Sequence, residues 1–270
     1  MAIITISRGS YSKGKEVAEK AAERLGYQCL SRDVILEASG LYHIPEIKLV
    51  KAIHDAPSVL ERLSGGRSAY IAYYKSALTR LVKKDNIVYH GLAGHLLLKG
   101  VPHVIKVRII ADLSDRVRHE MTQEGVSEEE ARSMILKDDQ ERRKWTMSLY
   151  GADPWDSALY DFVIHIQRFT VSNAVDFVCD AARLDQFKTT AESQQKMDDL
   201  ALASQVKAAL VTISVEVAVT SDYGNVLVFT GPEGRLVRKL REKIKTLSKE
   251  IQGINNIEVH PGAVVPPDAI

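Results

Sequence analysis

Cysteine is nearly absent from this chain of 270 residues: only Cys29 and Cys179 occur, each inside an apolar stretch. Two thiols cannot build a disulfide framework, and neither has metal-type Cys/His spacing, so a reducing cytoplasm is the expected compartment. An excess of either charge is also missing. Lys+Arg is 36 and Asp+Glu is 35, for a net charge of +1. That excludes an electrostatic case for a general nucleic-acid or membrane-surface binder. Long hydrophobic runs are lacking too. The stretch Val101 to Ala111 is interrupted by His103, Lys106 and Arg108, and nothing approaches the roughly 18 residues of a membrane span. The start, Met-Ala-Ile-Ile-Thr-Ile-Ser-Arg, lacks the basic opening and long apolar core of a signal peptide. No repeat of about 20 to 50 residues is present.

What remains is globular composition, with 45% hydrophobic and 26% charged residues. At about 150 residues per domain the length suggests roughly 1.8 domains. Ala2 to Ser7 reads as a buried strand that meets a glycine at once. Gly14 to Leu25 carries Val17, Ala18, Ala21, Ala22 and Leu25 on one helical face, with Gly26 as its stop. Residues 33 to 84 look helical, broken by Pro45, Pro57 and the Gly65-Gly66 pair. Strands are expected at Asn86 to His90, His103 to Ile110 and Asp161 to Ile166. Helices are expected over Asp112 to Glu124, Ser127 to about Tyr150, and Val171 to Leu184. Ser127 with Glu130 forms a capping box. This order predicts an α/β fold, a parallel sheet flanked by helices.

Residues 186 to 199 are polar and read as a linker or an exposed helix start. A second pattern follows over 200–270. It runs from a helix at Leu200 to Leu210, through strands at Ser214 to Thr220 and Val226 to Thr230, to a helix at Glu233 to Ile251 and a last strand at Ile257 to His260. This is a small α+β unit of order α-β-β-α-β, joined to a first domain at 1–185, with an irregular proline-bearing tail.

The strongest chemical signal is Gly9-Ser10-Tyr11-Ser12-Lys13-Gly14-Lys15. It has the spacing G-x-x-x-x-G-K, directly after a strand and opening a helix. Glycines let backbone N–H groups wrap a phosphate, the helix start favours negative charge, and the lysine reaches the outer phosphates. The next position, where Ser or Thr ordinarily binds magnesium, is Glu16. A carboxylate in a first helical turn is also favourable in itself.

The loop, with its basic residue followed by Glu, resembles the cytidylate kinase-like proteins of the P-loop nucleoside monophosphate kinase group. The likeness extends over about residues 1 to 184. It includes Arg32-Asp33-Val-Ile-Leu-Glu, Ile110 to Arg118, Val126 to Arg132, Lys137-Asp-Asp139-Gln-Glu-Arg142-Arg143, Trp155-Asp and Tyr160-Asp161-Phe-Val-Ile. The resemblance implies ATP-dependent phosphoryl transfer to a nucleoside monophosphate, CMP foremost, with ATP and magnesium as cofactors and no metal-binding residue assigned. Lys15, Arg142 and Arg143 would be catalytic. Arg8 and residues 9 to 16 would bind phosphates, and Arg32, Asp33 and His90 the acceptor. Arg142 and Arg143 lie three and four residues from Asp139, which suggests one phosphate-facing cluster on a helix, or else local ion pairs.

One departure stands out. His90-Gly91-Leu92-Ala-Gly94 has Leu92 where related kinases carry an arginine near the acceptor phosphate. His90 is a polar substitute or a strand-end residue without a role, and Arg8 is a second source of charge. Asp33 is an acceptor contact or a helix cap. These departures keep a nucleotide-binding regulator open as an alternative, and a phosphotransferase for another small acceptor as a third reading. The last 70 residues resemble a BON domain, through Val206 to Leu210, Tyr223-Gly224-Asn225, Val226 to Gly231 and Ile254 to Ile257. That likeness implies attachment of a phospholipid, a small anionic ligand or a protein partner. The helix there carries Arg235, Arg238, Lys239, Arg241, Lys243, Lys245 and Lys249 against Glu233, Glu242 and Glu250, a basic face of the kind that is usually solvated.

Overall fold

The computed structural model describes residues 2–54 and 66–270; Pro57 and Gly65 therefore lie outside the described residues. The described residues divide into two compact units, one of residues 2–33, 53–54 and 84–189, the other of 34–52, 66–83 and 190–270.

The first unit is a five-stranded sheet: β1 (Ile3–Arg8), β2 (Gln28–Leu30), β3 (Ile87–Tyr89), β4 (Val104–Ala111) and β5 (Phe162–Ile166). The order is β2-β3-β1-β4-β5 and every pairing is parallel. Parallel strands covered on both faces read as nearly continuous apolar runs, as Ile3 to Ile6 do apart from Thr5. Helix α1 (Gly14–Leu25) lays Val17, Ala18 and Ala21 against Ile4, Ile6, Ile105 and Val107. α8 (Val171–Ala181) adds Ala174, Val175 and Val178 to the same core. β1 lies between β3 and β4, and the chain winds away from it in both directions. Ligands of open α/β sheets bind at such a switch point, at the carboxyl ends of the strands, where the glycine loop sits.

The strands expected from sequence are present. β2 was not foreseen, because Gln28-Cys29-Leu30 buries only Leu30 and lacks the apolar run that marks the equally short Ile87-Val88-Tyr89 of β3. A short α5 (Gly94–Leu97) lies between β3 and β4, and the capping box at Ser127 is present and opens α7 (Glu128–Tyr150), which follows α6 (Leu113–Glu124).

The second unit contains α2 (Asp33–Tyr42), which begins at the boundary, and α3 (Glu46–His54), α4 (Gly66–Val82) and α9 (Ala191–Leu210). It also holds the sheet β6 (Ala218–Asp222), β7 (Asn225–Thr230) and β8 (Asn256–Pro261), with α10 (Arg235–Glu250) between β7 and β8. The α-β-β-α-β order is therefore as expected. β6 and β7 pair antiparallel, β7 and β8 parallel. Val206, Leu210, Val219, Val226, Val228, Leu240 and Leu247 form its core.

One expectation is corrected. The linker segment is a 3-10 turn at Asp185–Phe187 and then α9 from Ala191, capped by Thr190. Met197 is fully buried, and α9 packs on α4, so a cut at 185 would divide the second compact unit. The tail is irregular, but Ile270 exchanges two backbone hydrogen bonds of 3.0 Å with Val219.

Candidate active site

The glycine loop joins β1 to α1. Its turn runs through left-handed conformations at Tyr11 (φ 58°) and Lys13 (φ 63°). Such values strain a non-glycine residue and mark loops held by their surroundings. Here the holding contacts are visible. The buried Ser12 hydroxyl lies 2.9 Å from the Gly9 carbonyl and 3.1 Å from that of Ile109. The Tyr11 ring packs against Val117, Ala131 and Ile135 of α6 and α7. Gly14 is required for space, since a Cβ there would lie 2.7 Å from the Arg8 Cβ.

The α1 N-terminus has no side-chain cap, and its first-turn N–H groups lack partners one turn earlier within the helix. That makes it a place for an anion. An anion already sits beside it. The Ser10 N–H donates to the Asp139 carboxylate at 3.3 Å, and the Ser10 hydroxyl meets Asp138. Arg116 donates to the Ser10 carbonyl at 2.6 Å and pairs with Asp139 at 2.7 Å. Sequence reasoning missed Arg116. Its signal was a charged residue beside Val117 on the buried face of α6, a position rarely occupied by charge without a partner.

Arg142 stands at the other edge of the loop. It donates to the Arg8 carbonyl at 3.4 Å and pairs with Asp138 at 3.1 Å, while its buried Nε has no hydrogen-bond partner. Burial and then the Arg142 charge lower the Arg8 pKa from its ordinary value. No hydrogen bond to the Arg8 guanidinium is formed among the described residues. Two arginines forced together and incompletely paired form a site that an anion would stabilise.

His90 is buried, and its Nδ1 has no partner. Burial, and then the nearby Arg8 charge, push its pKa down to about 4. At neutral pH it is an uncharged polar group. Lys15, Glu19 and Asp33 also act on it, so the acceptor-side candidates His90 and Asp33 are neighbours in charge terms. Asp33 additionally accepts the Ser31 N–H at 3.1 Å, which suits the turn that opens α2.

Other candidates are placed elsewhere. Lys15 is exposed and 3.7 Å from Glu19; Glu16 pairs with Lys20 at 2.7 Å. Arg143 makes three hydrogen bonds to Asp153 and stacks over Trp155 at 4.3 Å. Consecutive helical residues diverge, so Arg142 and Arg143 do not act as one cluster. The Gly91-Leu92-Ala-Gly94 segment serves packing: a Cβ at Gly91 or Gly94 would lie 2.1 or 2.6 Å from the Tyr89 side chain.

Beside the loop lies a cavity of about 390 Å³, lined in part by Tyr11, Lys13, Arg118, His119, Ile166 and Gln167. Its mixed apolar and polar walls suit a flat heterocycle adjoining a phosphate site. Burial, and then the carboxylate of Glu120, push the Tyr11 phenol up to about 12, so it stays protonated as a donor.

The chain is 30% identical over 83 residues to a cytidylate kinase of Thermococcus kodakarensis, covering 31% of this chain and 42% of that one. It is 25% identical over 116 residues to a cytidylate kinase of Pyrococcus horikoshii, covering 43% and 58%. The chain thus spans about half the length of the curated relatives it matches. A crystal structure of an uncharacterized protein from Eubacterium ventriosum shares the fold at TM-score 0.52 and 22% identity, covering 67% of this chain and 98% of that one. The model of the cytidylate kinase-like family matches residues 3–168, the span that holds the parallel sheet, the glycine loop, Arg116 and Arg142, and the chain belongs to that family.

Proposed function

We propose that this protein transfers the γ-phosphoryl group of ATP to a nucleoside monophosphate, CMP foremost. The observation that carries the reading is the loop mouth. A carboxylate occupies a backbone N–H where a phosphate would bind, and Arg8 and Arg142 stand beside it incompletely paired. The loop amides and Lys15 would hold the outer phosphates of ATP, with its base in the cavity beside Tyr11. Arg8 and Arg142 would neutralise charge on the group in transit, the main requirement of such transfers. Arg8 supplies the charge that Leu92 does not. Neutral His90 with Asp33 would orient the acceptor, and Arg143 would anchor the base of α7 through Asp153.

A magnesium ion would arrive with the nucleotide and neutralise phosphate charge. Among the described residues no group of three or more His, Cys, Asp or Glu side chains is placed to hold a metal. Asp138, at the Ser10 hydroxyl, is the carboxylate that would face such an ion. The reducing chemistry of two free thiols fits a cytoplasmic setting. The C-terminal α-β-β-α-β order supports the BON-like reading of that unit.

The test is a coupled assay of purified protein with ATP against the common monophosphates, with calorimetry of ATP binding. Lys15→Ala should weaken ATP binding by roughly 1.5–3 kcal/mol, the worth of hydrogen bonds to a charged group. Unchanged affinity would refute the loop assignment. Glu16 and Leu92 favour a second reading, a nucleotide-binding regulator. ATP binding without transfer to any monophosphate would establish that one instead.

A further inference from the structure

We propose that the C-terminal unit holds a second binding site, for a small uncharged ring that carries hydroxyl groups. A cavity of about 410 Å³ opens between α9, the β6–β7 turn and the segment before β8. Leu202 lines it, and its polar lining includes Gln195, Gln205, Gln252, Asn255 and Asp198.

The turn is the unusual feature. Asp222 pairs with Asn225, leaving a two-residue loop of Tyr223 (φ 48°) and Gly224 (φ 79°). Both central residues are left-handed, the requirement of a type I′ turn, which Asn-Gly satisfies best. Gly224 fits, and a Cβ there would lie 2.5 Å from the Gly253 carbonyl oxygen. Tyr223 does not fit. A bulky side chain in this region is strained, and its ring gains little from folding because it is 61% exposed. The strain is compensated by a rigid rim. The Asp199 carboxylate accepts from Ser221 at 2.9 Å, Gln195 at 3.1 Å and the Gly224 N–H at 3.4 Å. Asn255 donates its side-chain amide to the Tyr223 carbonyl at 2.9 Å and its N–H to the Gly224 carbonyl at 2.8 Å. A strained aromatic residue fixed at a cavity edge, with its ring left open, is placed to stack on a ligand.

The remaining groups specify what that ligand is. The Gln205 amide is half-buried and has no hydrogen-bond partner among the described residues. Asn255 keeps its carbonyl oxygen for a ligand, and Asp198 one carboxylate oxygen. The Lys83 ammonium lies 3.3 Å from Asp198, so the lining carries one cation against the two carboxylates Asp198 and Asp199. Amides and a carboxylate around an open aromatic ring match hydroxyl groups on a ligand ring laid against it. The charge balance disfavours phosphate, so this site does not duplicate the nucleotide loop.

The shared chemistry has two sources, a sugar or a nucleoside. The test is a titration of the isotope-labelled full chain with glucose and with cytidine, and with glucose 6-phosphate and CMP as charged counterparts. We expect saturable shifts of the Gln205 and Asn255 side-chain amides and the Gly224 N–H at concentrations up to about 10 mM, the range of weak specific binding. Shifts with both uncharged probes identify the sugar ring as the recognised part. Shifts with only one identify that source. Tyr223→Asn should fold with an equal or higher melting temperature, because Asn-Gly suits the turn, and should lose about tenfold in affinity with the ring. Three results would each overturn the proposal: no saturable shift with either uncharged probe, unchanged affinity in Tyr223→Asn, or stronger shifts of these amides by the charged counterparts.

Discussion

The glycine loop of the first unit and helix α10 of the second both gather basic residues, with opposite outcomes. On α10 the charges lie at the surface, and three of the seven are answered by carboxylates of the same segment. Arg241 pairs with Glu233 at 2.8 Å, Lys243 with Glu250 at 3.0 Å and Lys245 with Glu242 at 3.4 Å. Val237, Leu240, Ile244 and Leu247 face the core and hold the helix. At the loop, the charges are driven together and out of water, and Arg8 bears the cost as a lowered pKa. The difference teaches that a basic count says little by itself. Exposed cations beside carboxylates contribute little, whereas cations that folding crowds together and leaves incompletely paired mark a place where an anion belongs.

The largest effect should come from testing that contrast directly. Arg8→Ala with Arg142→Ala should lower phosphoryl transfer to CMP by a factor of about 10³ or more, the usual loss of an arginine that stabilises transferred charge. Arg238→Ala on α10 should leave the rate unchanged, and Arg143→Ala should lower it by less than about tenfold, since Arg143 acts through Asp153 as an anchor. A steady-state assay with ATP and CMP decides. If Arg143→Ala matches the double variant, then α7 delivers both arginines during turnover, and the separation between adjacent helical residues drawn above is wrong.

The sequence made much of this legible, for identifiable reasons. The loop is short-range and its glycines are fixed by spacing. The strands β1, β4 and β5 are rich in Ile and Val, and the Ser127 cap is a local signal. What escaped detection depends on distant partners. β2 gains its identity only from β3, three residues at a time. The start of α9 is polar in sequence, yet Ser193 and Met197 become buried. Arg143 looked equivalent to Arg142 until Asp153, ten residues on, claimed it. Arg116 became meaningful only when folding set it against Ser10 and Asp139.

A second, smaller effect is on stability against pH. His90 and His95 are buried, and burial first, then nearby arginines, lower their pKa values to about 4 and about 3. Unfolding exposes both, returning them toward the ordinary value of 6.5. The unfolded chain then binds more protons than the folded one, so stability is full above about pH 6.5 and falls as pH drops toward 4 and below. For His90 alone the loss across that window is roughly 3 kcal/mol. Urea unfolding between pH 7 and pH 4 measures it, and His90→Gln should flatten the curve. An unchanged slope in that variant would mean that His90 is accessible to protons in the folded state.

The smallest effect concerns the carboxylate at the loop, and its sign is informative. Asp139 accepts the Ser10 N–H and pairs with Arg116, so it holds the loop in shape and also competes with any incoming phosphate. The two roles predict opposite results for Asp139→Asn. The asparagine keeps a carbonyl oxygen for the Ser10 N–H and removes the negative charge. The Ser10 bond is long, at 3.3 Å, while Arg116 retains its 2.6 Å bond to the Ser10 carbonyl in the variant. Shape should therefore survive, and the lost repulsion should dominate. We expect ATP to bind about three- to tenfold more tightly, a change of about 1 kcal/mol, in line with one charge partly screened by solvent. Raising salt should shrink the gain, because the effect is electrostatic. Calorimetry at two ionic strengths reads both. Weaker binding by Asp139→Asn at either salt concentration would show that Asp139 acts chiefly to position Arg116, and that the carboxylate is part of the binding loop rather than the occupant ATP displaces.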